Sequence, residues 1–186
     1  ASKHLEKYGC RSSDTVELTF EDVVVPDAQR VGEIDHGFID TLQILDRGRI
    51  SIAAMALGLG FGALEMGAAY AKDRKQFNTP IAEFQAIQWM LADSKTELDA
   101  AQLLTYRAAW LADQGRPFIK EASMAKLFAS EAATRACNKS LQIHGGYGYT
   151  REFAVERHLR DVKICEIGEG TSEVQRLVIA KQLLAV

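Results

Sequence analysis

The chain has 186 residues, 47% of them apolar and 25% charged, which is enough to bury one sizeable core and excludes a disordered or fibrous chain. Its 22 basic and 25 acidic residues leave a formal net charge of −3, so no cationic surplus exists to track a phosphate backbone and nucleic acid is not an expected partner. Three cysteines without CxxC spacing and four scattered histidines argue against a disulfide framework or a metal site, and suit a reducing compartment.

The opening Ala1-Ser2-Lys3-His4-Leu5-Glu6 carries no apolar signal core. Thr15 to Phe20 alternates with period two, and Val23-Val24-Val25 runs into Pro26, a strand-like pattern. One or two strands make no stable sheet alone, so these either pack on the rest of the chain or end a β domain that begins elsewhere. Asp27 to Gly37 is polar and reads as a linker.

From about Phe38 to Lys72 the pattern predicts one helix, roughly 50 Å long at 1.5 Å per residue. Its most membrane-like stretch, Ile50 to Leu64, is 15 residues long, whereas a span needs about 20. The small residues around Gly58-Leu59-Gly60-Phe61-Gly62 predict instead a buried helix that something packs against closely. Thr79-Pro80 reads as an N-cap followed by proline at the first helical position. In the second helix Ile87, Met90, Leu91, Ser94, Leu98, Ala101, Leu104, Ala108 and Leu111 keep to one face, and Gly115 stops it. A third helix runs from near Pro117 to about Ile143, where His144-Gly145-Gly146 breaks it. A short amphipathic piece lies around Phe153 to Val162. The last helix carries Val174, Leu177, Val178, Lys181 and Leu184, with Ser172-Glu173-Val174-Gln175 matching a capping box at its start. The fold expected is all-α, an up-and-down four-helix bundle with a short N-terminal β remnant.

Four segments could carry chemistry. Gln142-Ile143-His144-Gly145-Gly146-Tyr147-Gly148-Tyr149 places paired glycines at a helix end, where exposed amides suit a phosphate or a flat ring, or where one glycine simply caps the helix. Ile167-Gly168-Glu169-Gly170-Thr171-Ser172-Glu173 sets a carboxylate between glycines just before a helix, either beside a ligand or in an exposed loop. Asp46 and Arg49 share a helical face and read as a surface ion pair worth little. Arg74 to Pro80, continuing to Phe84-Gln85, reads as a basic, aromatic and solvated loop between helices.

Taken together, in this order and spacing, these segments resemble the acyl-CoA dehydrogenase family, and the resemblance covers essentially the whole chain. It includes Asp14-Thr15, Phe20-Glu21-Asp22-Val23-Val24-Val25-Pro26, Gly37-Phe38, Asp46-Arg47-Gly48-Arg49, Arg74-Lys75-Gln76-Phe77 and the two glycine-rich segments quoted above. The resemblance implies that residues 1–36 are the end of a middle β domain and a linker and that 37–186 form the C-terminal bundle, with about half of a typical subunit lying outside this chain.

It also implies FAD shared between subunits, hence a homo-oligomer, commonly a tetramer. By similarity Arg74 contacts the pyrophosphate with Phe77 beside it and Gln85 completing the contact. Gln142, Ile143, His144, Gly145 and Gly146 form the flavin-contacting loop, and Thr171, Ser172 and Glu173 lie near the adenosine half. The implied reaction is α,β-dehydrogenation of an acyl-CoA, with Glu169 as the base, Gly170 against the substrate, and Asp46 and Arg49 on the CoA portion. Relatives that carry the base on the first helix have it at the position of Gly48, where glycine cannot serve. Gly168 replaces the aromatic residue many members carry before the base. Electrons would pass to an electron-transfer flavoprotein, in a bacterial cytoplasm or mitochondrial matrix. The alternatives are an oxidase-like relative that uses oxygen and a non-catalytic helical assembly module.

Overall fold

The computed structural model describes residues 2–184. Among the described residues six α-helices occur in order: α1 (Gly37–Asp73), α2 (Gln85–Asp113), α3 (Ile119–His144), α4 (Val155–Val162), α5 (Ile164–Ile167) and α6 (Ser172–Leu184). The bundle consists of α1, α2, α3 and α6, and the short α4 and α5 return the chain from the end of α3 to the start of α6. The all-α reading therefore holds.

The joint after α1 differs from the sequence expectation. Thr79-Pro80 does not open the second helix; it forms strand β2 (Thr79–Pro80), paired antiparallel with β1 (Lys75–Gln76). Phe77 and Asn78 make the turn, both with positive φ, the two-residue geometry whose twist matches a hairpin. Helix α2 starts only after a 3₁₀ turn at Ile81–Glu83, with Phe84 as the residue before it. Proline at a strand end is tolerated because an edge needs no further N–H donor, so the local signal was open to either use. The stop at Gly115 is as expected. Its N–H donates to the Ala112 carbonyl and that of Arg116 to the Leu111 carbonyl, with Gly115 at φ +63°.

The strand-like N-terminal stretch forms no strand among the described residues. It is extended, with Ser2 N–H donating to the Glu17 carbonyl at 2.8 Å and Leu5 N–H to the Thr15 carbonyl at 2.9 Å. Without further strands alongside, this pairing goes no further. The segment is tied to the bundle at α4, where Asp161 Oδ1 accepts from Cys10 N–H at 2.7 Å and Arg160 donates to the Tyr8 carbonyl at 3.3 Å.

The core is built from small side chains. Ala53, Ala56 and Ala63 of α1 meet Ala129, Ala133 and Ala136 of α3, with Leu98 and Ala101 of α2 closing the layer. A Cβ at Gly60 would fall 2.6 Å from Leu98 Cδ2 and 3.1 Å from Ala133 Cβ, so only glycine permits this approach. Ser140 Oγ donates to the Ala63 carbonyl at 2.6 Å, a distance that requires the backbones of α1 and α3 to be close. Helix α1 is long and apolar enough to cross a membrane by length and composition, more so than the 15-residue stretch suggested. Its small-residue face is packed inside the bundle.

Candidate active site

Helix α5 ends at Ile167, and the chain then takes two left-handed residues, Glu169 at φ +53° and Gly170 at φ +93°, before α6 begins. A left-handed glutamate costs roughly 1–2 kcal/mol, so the surrounding contacts must hold it. The turn directs the Glu169 side chain onto α1 at Gly48. A Cβ added at Gly48 would lie 1.9 Å from Glu169 Oε2 and 2.7 Å from Oε1. The carboxylate thus occupies the space that any side chain at position 48 would need. Oε2 is buried and has no hydrogen-bond partner among the described residues.

The other buried side-chain atoms without partners among the described residues are Arg49 Nε, Ser172 Oγ and Gln175 Oε1, all on or beside the same loop. Folded chains satisfy roughly 90% or more of their buried polar groups, so the gathering of these four atoms makes this loop the candidate site. Asp46 and Arg49 are not the surface pair that spacing suggested. They bond at 2.7 Å with Arg49 only 8% exposed, because α3 covers this face and Ser123 Oγ accepts from the same guanidinium at 3.4 Å.

The start of α6 also differs from expectation. Thr171, not Ser172, caps the helix: its Oγ1 accepts from Val174 N–H at 3.4 Å, and Ser172 is already the first helical residue. With Val174 three residues beyond the cap, no capping box forms. Hydrogen bonds from its own N–H and from the Thr171 hydroxyl hold the Glu173 carboxyl below the usual range.

A second site lies at the far end of α1. Arg74, just past that helix, and the glycines that end α3 border a cavity of about 530 Å³, with Tyr70, Gln76, Ile81, Ile143, His144, Tyr147 and Thr150 completing its lining. His144 stacks on Tyr70 at 4.3 Å between ring centroids, and Phe153 packs edge-on against both rings. The Ser140 carbonyl lies 2.8 Å from His144 Nδ1, which assigns the ring proton to that nitrogen. Gly145 has φ +58° and ψ −135°, a conformation that essentially only glycine adopts, and a Cβ at Gly145 or Gly146 would meet nothing within 4 Å. A guanidinium, open glycine backbone and aromatic walls fit the phosphates and flat rings of a group such as FAD.

The residues singled out in the sequence divide between these places. Arg74, Ile143, His144, Gly145 and Gly146 share the cavity. Gln142 is exposed beside it, its carbonyl accepting from Gly145 N–H. Phe77 (89% exposed, at the hairpin tip) and Gln85 at the start of α2 do not line it. Glu169, Gly170, Thr171, Ser172 and Glu173 belong to the other end with Asp46 and Arg49. Gly48 and Tyr70 are 22 residues apart on α1, about 33 Å at 1.5 Å per residue.

Sequence reasoning missed Tyr70 and Lys126, and it read Tyr147 and Gln175 only as parts of the glycine-rich segment and of the capping box. Lys126 carried a signal, being the one cation on the alanine-lined face of α3. Burial pushes the Cys137 thiol up to about 12 and the Cys165 thiol up to about 11, so neither supplies a thiolate near neutrality.

Residues 35–184 match the family model described as acyl-CoA dehydrogenase, C-terminal domain. A probable acyl-CoA dehydrogenase of Bacillus subtilis (strain 168), YngJ, is 59% identical over 179 residues, covering 96% of this chain and 47% of that protein. The caffeyl-CoA reductase-Etf complex subunit CarC of Acetobacterium woodii is 49% identical over 176 residues, 95% of this chain and 46% of that one. Butyryl-CoA dehydrogenase from Megasphaera elsdenii superposes with a TM-score of 0.96 at 45% identity, over 98% of this chain and 48% of that structure. The chain spans about half the length of the curated relatives it matches.

Proposed function

Because the chain belongs to the acyl-CoA dehydrogenase family and carries that family's C-terminal domain, we propose that it is the bundle part of a flavoenzyme that dehydrogenates an acyl-CoA thioester between its α and β carbons. Residues 1–36 are then the end of the middle β domain, and residues 37–186 carry the FAD and acyl-CoA contacts. The observation that carries this reading is the Glu169 carboxylate, buried against Gly48 with Oε2 unpartnered.

Glu169 takes the α-proton as the β-hydrogen leaves with its electron pair, and a Cα=Cβ double bond forms. FAD, when bound, supplies the acceptor for that hydride. The α-proton is weakly acidic, so the enolate-like charge on the thioester oxygen needs donors, and the backbone N–H of Glu169 is assigned as one of them. Gly170 lies against the substrate, while Asp46 and Arg49 hold the CoA portion. Arg74, Ile143, His144, Gly145 and Gly146 hold FAD at the other end of α1, with Phe77, Gln85 and Gln142 beside it, and Thr171, Ser172 and Glu173 serve its adenosine half near the base. Two FAD-contacting places about 33 Å apart on one chain suit a cofactor held between two copies, which supports a homo-oligomer, a tetramer in this reading. Electrons leave to an electron-transfer flavoprotein, and the compartment is the bacterial cytoplasm or mitochondrial matrix. Turnover with oxygen as sole acceptor would point instead to an oxidase.

Glu169→Gln in the full-length protein tests the central claim. Glutamine keeps the shape but is not basic enough to take the proton, so flavin and acyl-CoA binding should survive while anaerobic flavin bleaching slows by at least ~10²–10⁴. Bleaching within about tenfold of the wild-type rate would mean that another residue is the base.

A further inference from the structure

Lys126 lies on α3 with 0% of its surface exposed, in a stripe otherwise made of Ala122, Ala125, Ala129 and Ala133. Gln175, in the first turn of α6, is equally enclosed. Both side chains end on one atom. Lys126 Nζ donates to the Gly170 carbonyl at 2.8 Å and Gln175 Nε2 donates to the same oxygen at 2.9 Å. Gln175 Nε2 also reaches the Glu169 carbonyl at 3.2 Å. These are the carbonyls of the two left-handed residues that turn the carboxylate onto Gly48.

A buried ammonium destabilises a fold unless it is well paired, and an apolar side chain of similar volume often serves stability as well or better. Lys126 carries three donors and makes one hydrogen bond among the described residues. Burial pulls its pKa below the usual lysine range; the carboxylates of Glu166 and Glu169 oppose this, and Arg49 adds to it. So costly an arrangement, aimed at one carbonyl beside the carboxylate, has a role in geometry rather than in holding the bundle together. Gln175 fits the same account, since its Oε1 is left without a partner while its amide hydrogens hold the loop.

We propose that Lys126 and Gln175 are positioning residues for Glu169: their donors converge on the Gly170 carbonyl and lock the left-handed turn that holds the carboxylate against Gly48. The inference rests on Glu169 being the base, and its test separates the two claims. Lys126→Met and Gln175→Met are made in the full-length flavin-loaded protein, with Glu169→Gln beside them. Three quantities are measured: the limiting rate and half-saturating concentration of flavin reduction by butyryl-CoA, amide hydrogen exchange of the 166–172 segment, and Tm.

The latch predicts a limiting rate lower by about 30-fold or more with half-saturation changed by less than about threefold. It also predicts exchange of the loop faster by about tenfold, with Tm held near the wild-type value. A lysine that merely supported the fold would lower Tm and leave no such split between rate and affinity. Loop exchange within about twofold of wild type in both variants overturns the latch, as does a loosened loop with a wild-type limiting rate. Should Lys126→Met fail to fold, Gln175→Met decides, because it removes the other two hydrogen bonds without touching a charge. Wild-type reduction by Glu169→Gln removes the base assignment alone, and loop exchange then decides by itself whether the turn is latched.

Discussion

At the scale of single residues, the decisive contact is between Glu169 and Gly48, which are 121 positions apart in the chain. Their mutual exclusion makes a two-sided prediction for Gly48→Ala. Alanine gains up to ~1 kcal/mol of helix propensity over glycine, so Tm should hold or rise. The new methyl would lie 1.9 Å from Oε2, however, and the flexible carboxylate must swing aside. A base displaced by an ångström loses alignment with the α-proton, and flavin reduction should slow by about 10²-fold. Stopped-flow reduction and a thermal melt on the same sample check both halves; a wild-type rate in a stabilised variant would show that Glu169 is not held where it acts. Part of this was legible beforehand, since glycine at position 48 leaves Glu169 without a rival as the proposed base. That the two side chains would compete for one volume was not, because nothing in their spacing brings them together.

At the scale of elements, many of the candidate residues sit where helices start or stop. Helix α3 stops at Gly145 in a conformation suited only to glycine, and this presents the loop amides and His144 to the cavity beside Arg74. Gly145→Ala should therefore cost about 1–3 kcal/mol in Tm measurements and leave flavin retention through dialysis weaker, with Glu169 undisturbed at the other end of α1. Full flavin occupancy together with an unchanged Tm would remove both the strain and the contact. Helix periodicity was readable almost to the residue for α1 and α3. The starts of α2 and α6 were not, because threonine and serine serve as caps, first-turn residues or strand ends depending on where the chain must go next. In α6 the neighbouring Thr171 wins the cap, since the turn at Glu169 and Gly170 already sets the helix direction.

At the scale of the whole molecule, the proposed function places two sites about 33 Å apart along α1 and so expects neither to be complete within one bundle. Arg74→Ala in the full-length protein should lower flavin occupancy after dialysis, because the guanidinium is the cation bordering the cavity. Occupancy equal to wild type would reassign the pyrophosphate contact. The 186-residue chain by itself should show helical circular dichroism, since its alanine-rich core is intact, and should associate through exposed side chains such as Trp89, Leu103, Tyr106 and Leu177. It should reduce no dye with any acyl-CoA, because the chain spans about half the length of the relatives it matches and the proposed pocket needs the rest to close. Dye reduction by the isolated chain would overturn that expectation.

The sequence by itself determined the helices, because their apolar period is local, and it determined the family, because seven short segments occur in a fixed order. It also marked the glycines at both sites, since a left-handed backbone restricts residue choice wherever it occurs. What only the tertiary structure decided are the contacts between distant segments. Arg49 is buried because α3 covers it, and Glu169 leans on Gly48 because two left-handed residues turn it there. Lys126 and Gln175 meet at Gly170 because α3 and α6 pack around that turn. Periodicity reports which face of a helix is apolar. It carries no information on which buried polar group will face which, because that depends on how whole helices are stacked.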